Sequence, residues 1–264
     1  MSFSDLTEAV TILVVNQPLT PPPLLWGGIG EGKSSFAETL AKAIDYNFYQ
    51  LCASHIDPSM ILGIPVPDLS ALLTKFLPPE FIGSERLLLF LDEVNTAPES
   101  VVAAVMEVIR TRRLGGRIFK DLKVILAANP AEEAAGGFTL PKPLRNRVVH
   151  FTFDFPFSEF AKITTLPPHL RDVRLSVNEK YLRPAPLDEI TSRWVYASAA
   201  VDGFLSKFPQ HYKKEKIKED EMAFPTPRAW DNVKIILAVF SAVSASGGAL
   251  HAAIAGTVGD GVAA

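Results

Sequence analysis

The sequence has few of the features of exported, membrane-spanning or disulfide-stabilised proteins. Its 264 residues include one cysteine, Cys52, which excludes an intrachain disulfide and a cysteine-based zinc site and is best explained as a small core residue. The longest apolar stretches, 87–91 and 235–243, are much shorter than the roughly 20 residues that a membrane span requires. Residues 1–9 carry acids and no cationic flank, unlike a secretory signal. We therefore expect a cytoplasmic protein with no membrane span.

The sequence also has little net charge and no pattern typical of a metal site. The formal net charge is −3, so nucleic acid is not favoured as a partner, because such binding rests on neutralising phosphates. The five histidines show no metal-ligand spacing, such as two histidines four residues apart on a helix. A hydrophobic content of 48% with 21% charged residues is that of a globular protein. The length fits one large domain and a smaller second one.

Short β-rich runs alternate with longer helical ones between residues 23 and 155, which is typical of βαβ units around a parallel sheet. The predicted strands are 23–26, 48–51, 86–91, 123–127 and 148–153. The helices between them are predicted to begin at Lys33, near Ser59 and at Pro98, since proline is favoured in a first helical turn. The pattern predicts an α/β core with a five-stranded parallel sheet flanked by helices.

The strand pattern ends at about Pro156, and only helical patterns follow. Three helices are predicted, each apolar on one face, at 184–209, 227–244 and 248–258. We therefore expect two domains. The first is an α/β nucleotide-binding core over residues 1–156, and the second is a smaller all-helical domain over 157–264, reached through a linker at about 157–183.

The segment 27–34 fits the pattern G-x-x-x-x-G-K-[ST] at every fixed position. It follows a predicted strand and precedes a helix, as a phosphate-binding loop requires, because the loop N–H groups and the helix dipole then face the same phosphates. The ammonium of Lys33 would reach the β- and γ-phosphates, and the Ser34 hydroxyl would bind Mg²⁺. The loop thus predicts bound ATP with Mg²⁺. The predicted nucleotide-binding residues are Gly28, Ile29, Gly30, Glu31, Gly32, Lys33, Ser34 and Ser35.

Two polar sites follow buried strands. Asp92 and Glu93 end the run 86–93, and ligand sites in open α/β sheets lie at such strand ends. Asp92 would hold Mg²⁺ together with Ser34, and Glu93 would orient and deprotonate an attacking water. Asn129 follows the strand at 123–127, where its amide could hold a water or a γ-phosphate oxygen.

Further stretches accompany these motifs. They are Ile61-Leu62-Gly63-Ile64-Pro65, Leu91-Asp92-Glu93-Val94-Asn95-Thr96-Ala97-Pro98, the run from Ala104 to Ile109, Ala128-Asn129-Pro130, Gly136-Gly137-Phe138-Thr139-Leu140-Pro141 and Leu144-Arg145-Asn146-Arg147. In this order, and with a helical domain behind them, the motifs resemble those of the AAA+ ATPases and, within them, the MoxR-like group. The resemblance covers about 22–258, and residues 92–147 are its most specific part.

The resemblance implies a function and further site residues. It implies an ATP hydrolase that works as a chaperone-like remodelling motor in a hexameric homo-oligomeric ring, with a helical lid and a protein partner such as a von Willebrand A-type protein. Arg147 takes the place of the arginine finger that reaches a neighbouring subunit's nucleotide, with Arg145 as its rival. Arg228 matches the lid arginine that contacts the γ-phosphate in cis.

The sequence also departs from this pattern and leaves other functions open. Residues 29–31 stand where the group usually has a proline and a small residue, and Val148 stands where an aromatic is usual. The alternatives are a nucleotide-gated scaffold, a DNA-directed AAA+ machine and a small-molecule P-loop kinase. The DNA-directed machine would use basic residues around a predicted hairpin at Gly115 and Gly116. These basic residues are Arg110, Arg112, Arg113, Arg117 and Lys120.

Overall fold

The computed structural model describes residues 2–79, 83, 86–130, 133, 137–164 and 177–263. The strands in chain order are β1 Pro23–Trp26, β2 Asn47–Cys52, β3 Ile64–Asp68, β4 Leu73–Leu77, β5 Arg86–Asp92, β6 Arg113–Leu114, β7 Arg117–Ile118, β8 Asp121–Ala128 and β9 Val149–Thr152. The helices are α1 Phe3–Val15, α2 Lys33–Ala43, α3 Ser59–Leu62, α4 Glu99–Thr111, α5 Lys142–Arg145, α6 Phe157–Thr164, α7 Leu187–Lys207, α8 Pro227–Ala242, α9 Gly247–Val258 and α10 Asp260–Ala263.

A five-stranded parallel sheet forms the centre of the molecule, with the order β2-β5-β8-β1-β9. The five strands are those predicted from the sequence, with ends that differ by at most two residues. β5 illustrates why the strands could be predicted. Its five consecutive apolar residues at 87–91 are all buried, as in a strand covered on both faces. All carboxyl ends of the parallel strands lie at one edge of the sheet, and this edge carries the phosphate loop.

Two short antiparallel hairpins project from this core. β6 and β7 form the predicted hairpin at Gly115 and Gly116, where φ is +52° and +76°. β3 and β4 form a second hairpin, which was not predicted, and the segment 61–65 that contributed to the resemblance spans the end of α3 and the start of β3. A Cβ at Gly115 would lie 2.5 Å from the Cα of Pro78, so the two hairpins are in close contact.

The helical part packs against the sheet as well as on itself. α7 lies along α8, and α9 contacts both α1 and β9. Apolar residues of α1, α2, α8, α9 and the sheet share one buried cluster. α7, α8 and α9 occupy the predicted helical segments. The domain boundary at 156 stays a prediction, and residues 165–176 of the proposed linker lie outside the described residues.

Candidate functional site

The loop between β1 and α2 is held in place by its own lysine. Gly30 and Gly32 have φ values of +83° and +85°, a left-handed conformation that glycine adopts at little cost. The ammonium of Lys33 donates to the carbonyls of Gly27 at 2.6 Å and Gly28 at 2.8 Å. α2 begins at Lys33, so the unpaired N–H groups of its first turn face the loop. This arrangement is suited to binding an anion.

The charge of Lys33 is balanced by acids around the loop. Burial lowers the pKa of its ammonium, because a charge is less stable away from water. Four carboxylates act in the opposite sense, in the order Asp92, Glu31, Glu133 and Glu93. A third hydrogen bond runs from Lys33 to the side-chain oxygen of Asn129 at 3.1 Å. The lysine is therefore a buried cation at the meeting point of β1, β5 and β8.

The two carboxyl groups at the acidic end of β5 have pKa values that are shifted in opposite directions. Asp92 accepts from the backbone N–H of Glu93 at 2.9 Å, and burial raises its pKa. Glu93 has a left-handed backbone with φ of +55°, and its carboxylate accepts from the Ser54 hydroxyl at 2.6 Å and from the Cys52 thiol at 3.3 Å. The Ser54 bond lowers the pKa of Glu93. Glu93 is thus a carboxylate held in its ionised form by the end of β2.

A second amide fixes Asn129 in place. The side-chain nitrogen of Asn95 donates to the carbonyl of Asn129 at 2.8 Å, and the N–H of Asn129 donates to the side-chain oxygen of Asn95 at 3.3 Å. Both residues are buried. Asn95 is a site residue that sequence reasoning did not identify, although it lies in a stretch that carried the resemblance.

These residues surround a single cavity, lined by Ile29, Gly30, Glu31, Gly32, Lys33, Ser34, Asp92, Glu93 and Asn129. The structure therefore brings together the predicted loop, acidic and amide residues. Gly28 contributes its carbonyl to Lys33, and Ser35 lies in the first turn of α2. The hydroxyl of Ser34 and the carboxylate of Asp92 line the same cavity, and such oxygens are the donors that Mg²⁺ prefers. The residues present fit the predicted ion.

Two further acids lie at the loop. The carboxylate of Glu133 accepts from the backbone N–H of Ile29 at 3.0 Å. One carboxylate oxygen of Glu31 is buried and has no hydrogen-bond partner in the described part of the chain. Glu133 thus uses a loop N–H of the kind that a phosphate oxygen would otherwise accept from. No motif in the sequence indicated this contact.

The two predicted arginines lie together at a separate cavity. Arg147 and Arg228 line it with Arg110 and with residues 18–22. Burial lowers the pKa of Arg147, and the charges of Arg228 and Arg110 add to this effect. The Arg147 guanidinium donates to the carbonyl of Pro143 at 2.6 Å. Neither Arg147 nor Arg228 is among the residues that line the loop cavity, and the cis role of Arg228 stays a prediction.

The turn before Arg147 is fixed by its neighbours. Arg145 is buried and donates to the carbonyls of Glu219, at 3.2 Å, and Glu221. The side-chain oxygen of Asn146 accepts from the Thr226 hydroxyl at 2.7 Å, and Thr226 also caps α8. This contact places the start of α8, and with it Arg228, beside Arg147.

The basic residues near the β6–β7 hairpin do not form one patch. Arg112 points inward, where it donates to the side chain of Gln17 at 3.0 Å and the carbonyl of Leu122 at 3.2 Å. Burial lowers its pKa to about 10. Arg110 is paired with Glu107 at 2.7 Å. The exposed members are Arg110, Arg113, Arg117 and Lys120.

Comparison with known proteins agrees with this geometry. Residues 22–148 match the family described as AAA domain (dynein-related subfamily). The crystal structure of a candidate ATPase from Cytophaga hutchinsonii is similar in fold, with a TM-score of 0.55 at 17% sequence identity, over 96% of this chain and 85% of that chain. No curated protein matches the sequence. No described helix is long and apolar enough to cross a membrane. The fold is that of a P-loop AAA domain with helices behind it, and the matches support an AAA+ ATPase that binds nucleotide.

Proposed function

We propose, from the AAA domain that residues 22–148 match, that this protein is an ATP-hydrolysing AAA+ motor that works as a homo-oligomeric ring. One observation carries the proposal. The phosphate loop, the acidic end of β5 and the amide of Asn129 line one cavity, which is the set of groups that phosphoryl transfer to water requires.

Lys33 and Asn129 are the groups that would bind the β- and γ-phosphates. The Lys33 ammonium donates three hydrogen bonds, to Gly27, Gly28 and Asn129. In the nucleotide complex, phosphate oxygens would replace these groups as acceptors. The charge-assisted bonds formed with phosphate are stronger than bonds to neutral carbonyls. Bound Mg²⁺, held by Ser34 and Asp92, would neutralise part of the phosphate charge.

Glu93 is the group that would orient and deprotonate the attacking water. The Ser54 bond lowers its pKa, so the carboxylate is ionised but is a weaker base while that bond is present. Its bond to the Ser54 hydroxyl holds the carboxylate at the end of β2. We interpret this arrangement as a resting site, in which turnover requires Glu93 to leave Ser54.

The arginines would complete the site of a neighbouring protomer. Arg147 and Arg228 share a cavity that differs from the loop cavity, so we propose that one protomer supplies both to the nucleotide of the next, in place of the cis role that the resemblance implies for Arg228. An arginine supplied in trans stabilises the charge that builds on the transferred phosphoryl group. The buried, engaged guanidinium of Arg145 favours Arg147 as the finger.

We also propose the finer identity of the motor. The stretches between residues 91 and 147 resemble the MoxR-like group, which implies a hexameric ring, cytoplasmic location and chaperone-like remodelling of a protein partner, for example a von Willebrand A-type protein. The apolar tip of the β3–β4 hairpin supports a protein as substrate, since Leu69 and Leu72 are 82% and 90% exposed.

The test is phosphate release with Mg²⁺ and ATP at increasing protein concentration, in the parent, in Glu93→Gln and in Arg147→Ala. Turnover per protomer should rise with concentration in the parent and be lost in both variants. Arg193→Ala, which removes an exposed arginine of α7, is the matched control and should behave as the parent. Concentration-independent turnover that survives Arg147→Ala would mean a monomeric P-loop enzyme.

One observation supports a second candidate, a DNA-directed machine. Arg113, Arg117 and Lys120 are exposed at the β6–β7 hairpin. If DNA is the substrate, it should stimulate phosphate release in a strongly salt-dependent manner, and Arg113→Ala with Arg117→Ala should abolish the stimulation. ATP binding without phosphate release would instead indicate a nucleotide-gated scaffold, and transfer to a small acceptor without free phosphate would indicate a kinase.

A further inference from the structure

The buried side chain of His150 in β9 has two partners that define its state. Its Nδ1 atom lies 3.0 Å from the indole nitrogen of Trp26, and its Nε2 atom lies 3.0 Å from the carbonyl of Arg145. An indole N–H only donates, so Nδ1 must be the acceptor and Nε2 must carry the proton. Burial lowers the pKa of His150 to about 4, so the ring is neutral at physiological pH.

The two hydrogen-bond partners of His150 belong to different parts of the proposed site, the phosphate loop and the turn that carries Arg147. Trp26 is the last residue of β1 and immediately precedes Gly27, whose carbonyl accepts from Lys33. Arg145 is the last residue of α5 and lies two positions before Arg147. The His150 ring therefore links the strand that enters the phosphate loop to the turn that carries the proposed finger.

The contacts around this turn hold each residue that leads to Arg147, whose own guanidinium donates to the carbonyl of Pro143. The Arg145 carbonyl is held by His150 and its guanidinium by the carbonyls of Glu219 and Glu221. The Asn146 side chain is held by Thr226. Arg147 comes next, at the cavity that it shares with Arg228.

We propose that His150 is a positioning residue for Arg147, which fixes the finger-bearing turn through the Nε2–H bond to the Arg145 carbonyl. This inference rests on the proposed function, in which Arg147 acts on the nucleotide of a neighbouring protomer. Loss of the bond leaves the loop cavity of the same protomer complete, because His150 is not among the residues that line it. The defect should then appear in catalysis and not in nucleotide binding.

Two substitutions separate the two bonds. In His150→Gln the amide nitrogen takes the place of Nε2 and can still donate to the Arg145 carbonyl, while the bond to Trp26 is lost. In His150→Asn the amide oxygen takes the place of Nδ1 and still accepts from Trp26, while the bond to Arg145 is lost. Since a shift of about 1 Å at a catalytic group costs up to roughly 100-fold, we expect turnover to fall by about 10- to 100-fold in His150→Asn. The dissociation constant for ATP should stay within about twofold, and His150→Gln should stay near the parent. His251→Asn, at an exposed histidine of α9, is the matched control.

The decisive measurement mixes each variant with Glu93→Gln, which keeps its arginines but lacks the proposed base. In a ring that contains both variants, a protomer without a working Arg147 keeps its own Glu93, and its site receives the arginines of a neighbouring Glu93→Gln protomer. Such a protomer should therefore regain turnover. Arg147→Ala with Glu93→Gln is therefore the positive control, and His150→Asn should be restored to the same degree. Circular dichroism establishes that each variant is folded. If His150→Asn does not fold, His150→Phe, which keeps a ring and removes both bonds, takes its place.

The possible outcomes are distinct. Restoration of Arg147→Ala but not of the His150 variant would overturn the inference and leave the proposed function intact, because the defect would then lie in the variant's own site. A His150→Gln variant as inactive as His150→Asn would also overturn it. If mixing restores neither, arginines do not act in trans, and the proposed function fails together with the inference.

Discussion

Gly256 provides a sharp test of how the helical part docks on the sheet. It lies in α9, and a Cβ built at this position would be 2.2 Å from the carbonyl oxygen of His150 and 2.9 Å from a methyl carbon of Val149. Cβ atoms essentially never approach other heavy atoms closer than 3.0 Å. The oxygen belongs to the backbone of β9, which is paired with β1 along its whole length and cannot easily move. Alanine at this position would therefore force α9 away from the sheet.

Two opposing effects set the magnitude for Gly256→Ala. Replacing glycine by alanine inside a helix normally stabilises a protein by about 0.5 to 1 kcal/mol. Overpacking of a well-packed contact costs about 1 to 3 kcal/mol, occasionally more, and a clash with sheet backbone belongs at the upper end. We therefore expect a net loss of about 2 kcal/mol in the free energy of unfolding. For a chain of this size, this lowers the melting temperature by about 4 to 8 °C.

The assay is urea unfolding followed by far-ultraviolet circular dichroism, with Gly203→Ala as the matched control. Gly203 lies in α7, and nothing is within 4 Å of a Cβ built there, so this variant should be more stable than the parent by about 0.5 to 1 kcal/mol. The slope against urea should stay unchanged in both variants. If Gly256→Ala is as stable as the parent, α9 does not approach β9 in the way described, and the argument from the close contact is refuted.

Three further predictions concern the site and its surroundings. Glu133→Gln removes a carboxylate that accepts from the N–H of Ile29, and titration with a fluorescent ATP analogue should show about 3- to 10-fold tighter binding; unchanged binding would contradict a competing role. Ser54→Ala removes the shorter of the two hydrogen bonds to the Glu93 carboxylate and should raise basal phosphate release several-fold while moving the acid limb of the pH–rate profile to higher pH; lower turnover would show that the bond serves catalysis. The pKa of His150 falls from 6.5 to about 4 on folding, because the buried ring is held neutral. Its contribution to the free energy of unfolding is therefore fully present above pH 6.5 and declines by about 3 kcal/mol between pH 6.5 and 4. His150→Gln should show a flatter unfolding free energy in that window, and an unchanged slope would refute this assignment.

The elements that sequence reasoning predicted are those whose signal is local. The phosphate loop is one continuous motif, and the strands of the sheet are short apolar runs between turn residues. α1 was missed, because ten of its 13 residues are buried and a helix that is apolar on most sides gives little periodic pattern. β3 was missed because Pro65 and Pro67 are unusual in a strand, although both lie in a two-stranded hairpin.

The parts of the site that were not predicted depend on contacts between distant positions. Arg112 was grouped with its exposed neighbours because of its charge, but Gln17 and the carbonyl of Leu122 bind it inside the structure. Ser54 reaches Glu93 only because β2 and β5 are paired. Single polar residues of this kind give no pattern in sequence, since their role depends on which strands the fold places side by side.

The distribution of charge supports the proposal that a second protomer completes the site. Lys33 is the cation among the described residues that line the loop cavity, and four carboxylates surround it. A triphosphate brings further negative charge, and still more builds on the transferred group as the bond breaks. Arg147 and Arg228 lie at another cavity of the same protomer, where the charge of Arg228 contributes to lowering the pKa of Arg147. Placing this arginine pair against the acidic loop cavity of a neighbour relieves both imbalances at once. Assembly and catalysis would then depend on the same contact, and turnover should require the ring.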